Sequence, residues 1–458
     1  MIGAAGYLVA VAIGIAATAL GLAGMLGLRW TLGVPWLVPL GGLELVLDPL
    51  GGFFVALVGV ATVPASVYAL GATPGERRGV LAYLVFVLAM CAVPLAANMM
   101  TFAIAWELMS LASYFLVLHD RRERGSVRAA WVYAVMTHAG FACLLAGMLL
   151  LGAWTGSVRF ADWHAAAPGL APWARDLAFV LLAAGFLGKA GVVPLHVWLP
   201  LAHPAAPSHV SALMSGVMIK LGVYGLLRAG FDWLGAGPAW WGVLVLLLGA
   251  LSAVIGVLYA LVDHDLKRLL AFHSIENVGI ILIGAGAGML YHRAGLEPLA
   301  LLGVAAALYH TLNHAAFKAL LFLGAGAVVH GTGTRNMEEM GGLIKRMPWT
   351  AACFLAGSAA IAALPPFNGF VSEWLTFLAL LQNTRIAQPA LNLVFALGIA
   401  GLALTGGLAM ACFVKAFGIT FLALPRSEAA ARAHEAPIAM RAAMVALALG
   451  CLLLGLGP

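Results

Sequence analysis

The sequence predicts an all-α polytopic membrane protein of about 13 transmembrane helices, and three observations predict it. Of 458 residues, 63% are hydrophobic and only 9% are charged, against about 25% charged in an ordinary soluble domain. The apolar residues fall in runs that reach the roughly 20 residues a helix needs to cross a bilayer. The few titratable residues inside those runs are placed at regular intervals, His310, His314 and Lys318 above all. A mean hydropathy of +1.02 agrees with that class.

Taken in order, the crossings fall at roughly 2–28, 45–70, 79–97, 98–118, 127–153, 176–201, 205–230, 240–262, 266–288, 299–329, 349–383, 391–424 and 438–457. The first has no charged leading region and no clear small-residue cleavage site, so it reads as a membrane helix and not as a signal peptide. Of the 24 Lys and Arg, 14 flank the loops that follow even-numbered crossings, including Arg77, Arg78, Arg121, Arg122, Arg124, Lys267, Arg268 and Arg335. About six flank the odd-numbered loops, and Lys189, Lys220, Lys318 and Lys415 lie inside helices. By the positive-inside rule the even loops are cytoplasmic, which puts the N-terminus inside and the C-terminus outside.

The chain also repeats itself. Tyr133-x-x-x-Thr137-His138-Ala139-x-Phe141 matches Tyr309-x-x-x-Asn313-His314-Ala315-x-Phe317, an offset of 314 − 138 = 176, and Trp198-Leu199 matches Trp374-Leu375 at the same offset. The matched crossings are fifth with tenth and sixth with eleventh, so they run in opposite directions: an inverted-topology repeat. Each half also holds a proline-interrupted helix, at Gly188–Pro200 and at Ala363–Leu375. Proline removes an N–H and clashes with the preceding turn. Backbone groups freed in this way are tolerated at membrane depth only against protein or water.

His310, His314 and Lys318 stand at i, i+4 and i+8 in one apolar run, which lines them on one helix face about 6 Å apart. A charged side chain at mid-bilayer costs roughly 2.5–3.5 kcal/mol on insertion scales, and proton movement is a function that needs such a column. The other reading is two histidines bonded to neighbouring carbonyls. Glu107, Lys189 and Lys220 are further charges in apolar helices. Burial opposes charge on either partner and an opposite charge restores it, so changing a Glu107–Lys189 separation would change the proton affinity of both; alternatively the pair only ties helices together. Glu373, just past the second break, is a candidate terminal carrier or an interfacial carboxylate. His138 is a candidate through the repeat, while Lys415 either takes part or snorkels to the interface. His273 and Glu276, near the basic residues Lys267 and Arg268, mark proton uptake or a solvated edge. The histidines His196, His203 and His209 cluster among prolines and fit a water path or loop packing better than a closed metal shell.

Cys91, Cys143, Cys353, Cys412 and Cys451 lie in apolar runs without a C-x-x-C pair, and no G-x-G-x-x-G or P-loop motif occurs. The expectation is no metal, no cofactor, no nucleotide and no nucleic-acid partner, with any redox chemistry residing in other chains.

Several segments carry a resemblance. Trp106-Glu107-Leu108-Met109, Gly188-Lys189 with Pro194–Pro200, Pro207–Leu213, Asp265–Ser274 and Asn313–Phe322 resemble the antiporter-like proton-pumping subunits of NADH:quinone oxidoreductase, of multisubunit Na⁺/H⁺ (Mrp) antiporters and of membrane-bound hydrogenases. His209–Lys220, Ser274–Asn277 and Phe413–Leu422 look most like the type found in hydrogenase-4 (its component B) and in formate hydrogenlyase (its subunit 3). The resemblance covers roughly residues 45–445 and implies two inverted five-helix bundles (79–230 and 240–424), each with a discontinuous helix, between N-terminal helices (1–78) and a C-terminal helix (425–458). It also implies a buried axis through Glu107, Lys189, Lys220, Lys318 and Glu373, with Glu373 standing where some relatives place lysine. Relatives of this kind usually have one more helix before Asp48-Pro49-Leu50, and hydrogenase-type members continue past Pro458. The implied function is ion translocation, of H⁺ with Na⁺ as the alternative, by a multi-pass subunit of the inner cell membrane. Its partners would be other membrane and peripheral subunits of a respiratory or hydrogenase complex, whose redox chemistry would drive it. A gradient-driven cation/proton antiporter subunit and a transport-dead scaffold are the competing readings.

Overall fold

A computed structural model describes residues 2–34, 42–73, 79–119 and 125–457. The basic residues Arg77, Arg78, Arg121, Arg122 and Arg124 lie outside the described residues. The chain is mostly helical: α1 (Ile2–Met25), then strands β1 (Trp30–Val34) and β2 (Leu43–Leu47), then α2 (Pro49–Ala72), α3 (Val80–Leu95), α4 (Met99–Val117) and α5 (Ser126–Thr155). A short α6 (Phe160–Ala166) leads to α7 (Pro172–Ala190) and α8 (Leu199–Ala205). Next comes a continuous α9 (Ser208–Trp233), with π-helical turns at Met214–Met218 and Arg228–Trp233. The chain continues through α10 (Ala239–Val262), α11 (Leu266–Arg293), α12 (Glu297–Thr332), α13 (Pro348–Ile361) and α14 (Asn368–Leu381). It ends in α15 (Pro389–Phe421), the short α16 (Glu428–Ala431) and α17 (Ile438–Leu456). Among the described residues ten helices are long and apolar enough to cross a membrane, and α3 and α13 are shorter apolar helices. This is a multi-pass membrane protein.

Hydropathy placed the start of the second crossing at residue 45, but residues 43–47 pair with β1 in an antiparallel hairpin, Trp30 opposite Leu47. The helix begins where its chemistry dictates. Asp48 caps it, accepting from the Gly51 N–H at 2.7 Å, and Pro49 follows at the first helical position, where its missing N–H costs nothing. The hairpin lies at one end of the bundle beside the α3–α4 and α5–α6 connections, through bridges Leu45–Ala96 and Asn98–Arg159. The other end holds the α10–α11 turn and the end of α12, joined by the Asp265–Asn336 bridge, and carries the basic residues Lys267, Arg268 and Arg335. We call these the hairpin end and the basic end.

Burial sorts the spans into a centre and a periphery. Every residue in the apolar stretch of α9 is buried, and α11 and α12 are nearly so, whereas α1, α5, α15 and α17 turn mostly outward. The three central helices carry Lys220, the His273/Glu276 pair and the His310/His314/Lys318 column. Glycine brings α10 and α11 together. A Cβ at Gly249 would stand 2.7 Å from the Gly279 carbonyl oxygen, and one at Gly256 would stand 2.6 Å from the Glu276 nitrogen. Small residues let backbones approach in this way where lipid supplies no hydrophobic drive between helices. Gly249→Val is therefore expected to destabilise the protein by about 1–3 kcal/mol, an overpacking cost read as a lower melting temperature in detergent. An unchanged melting curve would show that α10 can slide away from α11.

Both proline-rich interruptions are true breaks. α7 ends at Gly191 in a left-handed conformation (φ +76°) and helix resumes only at α8. α13 ends before Ala363, and α14 starts at Asn368. The opened backbone of the first break finds partners in protein, as burial requires. Val193 donates to Ser252 Oγ of α10 at 3.0 Å, and Trp198 Nε1 donates across the break to the Gly188 carbonyl at 3.0 Å.

Candidate ion-translocation axis

Lys189 is the last-turn residue of α7, held beside the first break and 3% exposed. Its ammonium donates to Ser110 Oγ (2.9 Å) and Tyr133 OH (3.0 Å), and lies 5.9 Å from the centre of the Trp106 ring. Tyr133 in turn meets Ser113 at 2.6 Å. The expected partner Glu107 is on the same helix as Ser110, one turn earlier, but its ion pair is with His138 of α5, Oε2 to Nε2 at 3.3 Å. The other carboxylate oxygen of Glu107 is buried with no protein partner among the described residues. His138 is more than half exposed and donates from Nδ1 to the Ala134 carbonyl at 2.7 Å. Glu107 and Ser110 thus stand one turn apart on α4, the first paired with the outward-facing His138 and the second with Lys189.

Lys220 is fully buried on α9, directly after the first π-helical turn, and donates to the Ser215 carbonyl. Ser215 meets Ser274 of α11 at 2.7 Å, which carries the polar line from the first half into the second. On α11, His273 Nδ1 pairs with Glu276, and Asn277 donates to the His273 carbonyl at 2.9 Å.

On α12 the three aligned side chains have different surroundings. His310 is held on both sides, by Ser372 Oγ of α14 at 2.9 Å and by Asn277 Oδ1 of α11 at 3.2 Å. Lys318 donates to the Leu270 carbonyl and lies 5.4 Å from the Phe322 ring centre. His314, between them and wholly buried, has no protein partner at either ring nitrogen among the described residues. A neutral imidazole has one donor and one acceptor nitrogen, and here both are left without a protein hydrogen bond.

Glu373 is 7% exposed at the second break and faces Gly406 of α15. Asn368 and Asn313 tie that break to α12, Asn313 Nδ2 donating to the Asn368 carbonyl at 2.8 Å. Lys415 stands apart from this line: it donates to the Leu261 and Asp263 carbonyls at 2.8 and 2.7 Å, neutralising the C-terminus of α10 at the basic end. Sequence reasoning did not single out Ser110, Ser215, Ser274, Asn277, Asn313 or Ser372 as site residues. Tyr133 was visible only as part of the repeated motif, because an isolated neutral polar residue carries no charge and barely lowers the average hydropathy of a long apolar helix.

The chain as a whole has known relatives. Residues 96–405, more than half of the chain, match the family described as NADH:quinone oxidoreductase/Mrp antiporter, TM. The chain belongs to this family. Every axis residue described above falls inside the antiporter-like match, and Lys415 lies beyond it. Hydrogenase-4 component B of Escherichia coli is 45% identical over 421 residues, 90% of this chain and 62% of that protein. The chain thus spans less than two thirds of that relative. Formate hydrogenlyase subunit 3 of the same organism is 35% identical over 438 residues, 94% of this chain and 70% of that one. A chain of the Mrp complex from Dietzia superposes with a TM-score of 0.84 at 25% identity, over 99% of this chain and 89% of its own length.

Proposed function

We propose that this antiporter-like chain is a proton-translocating membrane subunit of a hydrogenase-4-like or NADH:quinone oxidoreductase-like complex in the inner cell membrane. Redox chemistry in partner subunits drives ion transfer along Glu107, Lys189, Lys220, His310, His314, Lys318 and Glu373, with His138, His273 and Glu276 beside the path. The observation that carries this reading is His314: a wholly buried imidazole, unpartnered at both nitrogens, in line with two buried lysines. In this reading the basic end is cytoplasmic. Thirteen crossings result when α3 and the two broken helices count as spans, and residues 79–230 and 240–424 form inverted five-helix repeats. Each proton moved against 100 mV requires about 2.3 kcal/mol, which a redox step in a partner supplies readily.

A second reading, a gradient-driven monovalent cation/proton antiporter subunit, is supported by the fold shared with the Mrp complex and by relatives named K⁺/H⁺ and Na⁺/H⁺ antiporter subunits. The experiment that separates them is gentle solubilisation of native membranes, capture of this chain and mass spectrometry of what accompanies it. Stoichiometric nickel–iron or iron–sulfur proteins are the expected result. Antiporter-like membrane subunits alone would overturn the redox-driven reading in favour of exchange.

A further inference from the structure

Between Lys189 and the hairpin end lies a continuous stack of buried rings. Trp106, beside the Lys189 ammonium, meets Phe102 at 5.3 Å and Phe186 at 5.7 Å between ring centres. Phe102 and Phe186 reach Trp233 at 6.2 and 6.1 Å, and Trp233 packs on Phe160 (4.4 Å) and Trp163 (5.8 Å). None of these six side chains, drawn from α4, α6, α7 and α9, is more than 8% exposed. Phe160 and Trp233 form the floor of a cavity of about 320 Å³ at the hairpin end, walled by Glu44, Asp48, Arg159, Arg228 and Asp232.

The charges lining this cavity are paired with one another, Arg159 with Glu44. Arg228 pairs with Asp48 (2.5 Å) and Asp232 (2.9 Å) and donates from Nε to Tyr224 OH at 3.1 Å. The Tyr224 hydroxyl donates to the Pro94 carbonyl at 3.1 Å, so the cluster ties α9 to the ends of α2 and α3. Lys220, Tyr224 and Arg228 share one face of α9 at i, i+4 and i+8. Lys220, however, reaches back to the Ser215 carbonyl, towards the basic end and away from Tyr224. An arginine does not release its proton at any working pH. Hydrophobic constrictions gate by expelling water.

We propose that the six rings, braced by the Arg228 cluster, are a seal that closes the first half towards the hairpin end. Protons held at Lys189 leave only along the axis, through Lys220 and His314. The inference rests on the translocation reading above and adds a direction to it. The test uses the full chain in liposomes with an imposed pH gradient, a trapped fluorescent pH dye and the membrane potential clamped. Wild-type protein is expected to be tight, and Trp233→Ala and the milder Phe186→Val to raise passive proton flux by about tenfold or more. Trp233→Phe, which keeps a ring, is expected to stay tight, and Lys189→Met added to either opened variant to return the flux to the wild-type level. Monodisperse opened variants as tight as wild type would overturn the seal, as would a leak indifferent to Lys189. Passive leak needs no redox partner. Driven transport that depends on Lys189, combined with tight opened variants, would therefore reject the seal alone. Driven transport indifferent to Lys189 would reject the translocation reading and the seal with it.

Discussion

Lys189→Arg is expected to assemble, to keep a positive charge beside the first break, and to reduce driven proton transport to background. Charge and proton exchange are separable at this position. In the buried niche the lysine ammonium has two hydroxyl acceptors, Ser110 and Tyr133, and two ring faces, Trp106 and Tyr133. A guanidinium stays charged, can use the same acceptors and stacks on aromatic rings, but it is larger than an ammonium, so assembly and melting temperature are read on the same variant. What arginine cannot do is give up its proton and take it back, whereas a buried lysine titrates readily. Lys189→Ala removes both properties and tests only whether the residue matters. The pair of variants tests why. The measurement is proton uptake by vesicles carrying the intact complex, with the partner's redox turnover followed in parallel. Arginine transporting at near wild-type rates would make Lys189 an electrostatic fixture and remove it from the relay.

Much of this architecture is legible in the sequence alone, and the reason is specific. Hydropathy reports what a segment must face, so long apolar runs such as Ala239–Val262 and Pro389–Phe421 could be placed within a few residues. The 3.6-residue period likewise put His310, His314 and Lys318 on one helix face. It failed where the local chemistry of a few residues outweighs average hydropathy. Asp48 and Pro49 start α2 and leave residues 43–47 to a strand. Contacts between helices were legible only in part. The charges of the axis stand out because charge in an apolar run is costly, but who meets whom depends on packing that no period encodes. Glu107 lies on α4 and reaches its ion-pair partner His138 on α5, while Lys189 finds Ser110 and Tyr133 instead. Likewise the serine pair joining Lys220's turn to α11, Ser215 with Ser274, consists of two residues that look like ordinary helix-tolerated polar side chains.

His314→Leu separates a working histidine from a structural one, because the two roles predict opposite changes in stability. His310 has a partner at each nitrogen, Ser372 and Asn277, and removing it leaves both partners short of a hydrogen bond. His310→Leu is expected to destabilise the protein by about 1–3 kcal/mol, the cost of stranding buried polar groups. His314 has no protein partner to strand. A leucine of similar volume at that position relieves two open polar atoms in the wholly buried centre of α12, so the melting temperature is expected to stay level or rise. Transport is expected to fall to background all the same, since the proposed proton path between Lys220 and Lys318 then lacks its exchangeable group. A gain in stability with a loss of activity is the signature of a residue retained for its chemistry at a structural cost. Scanning fluorimetry in detergent and driven proton uptake on the same preparation give both readings. A His314→Leu protein that melts early and still transports protons would make His314 a packing residue, and the path from Lys220 to Lys318 would then have to bypass it.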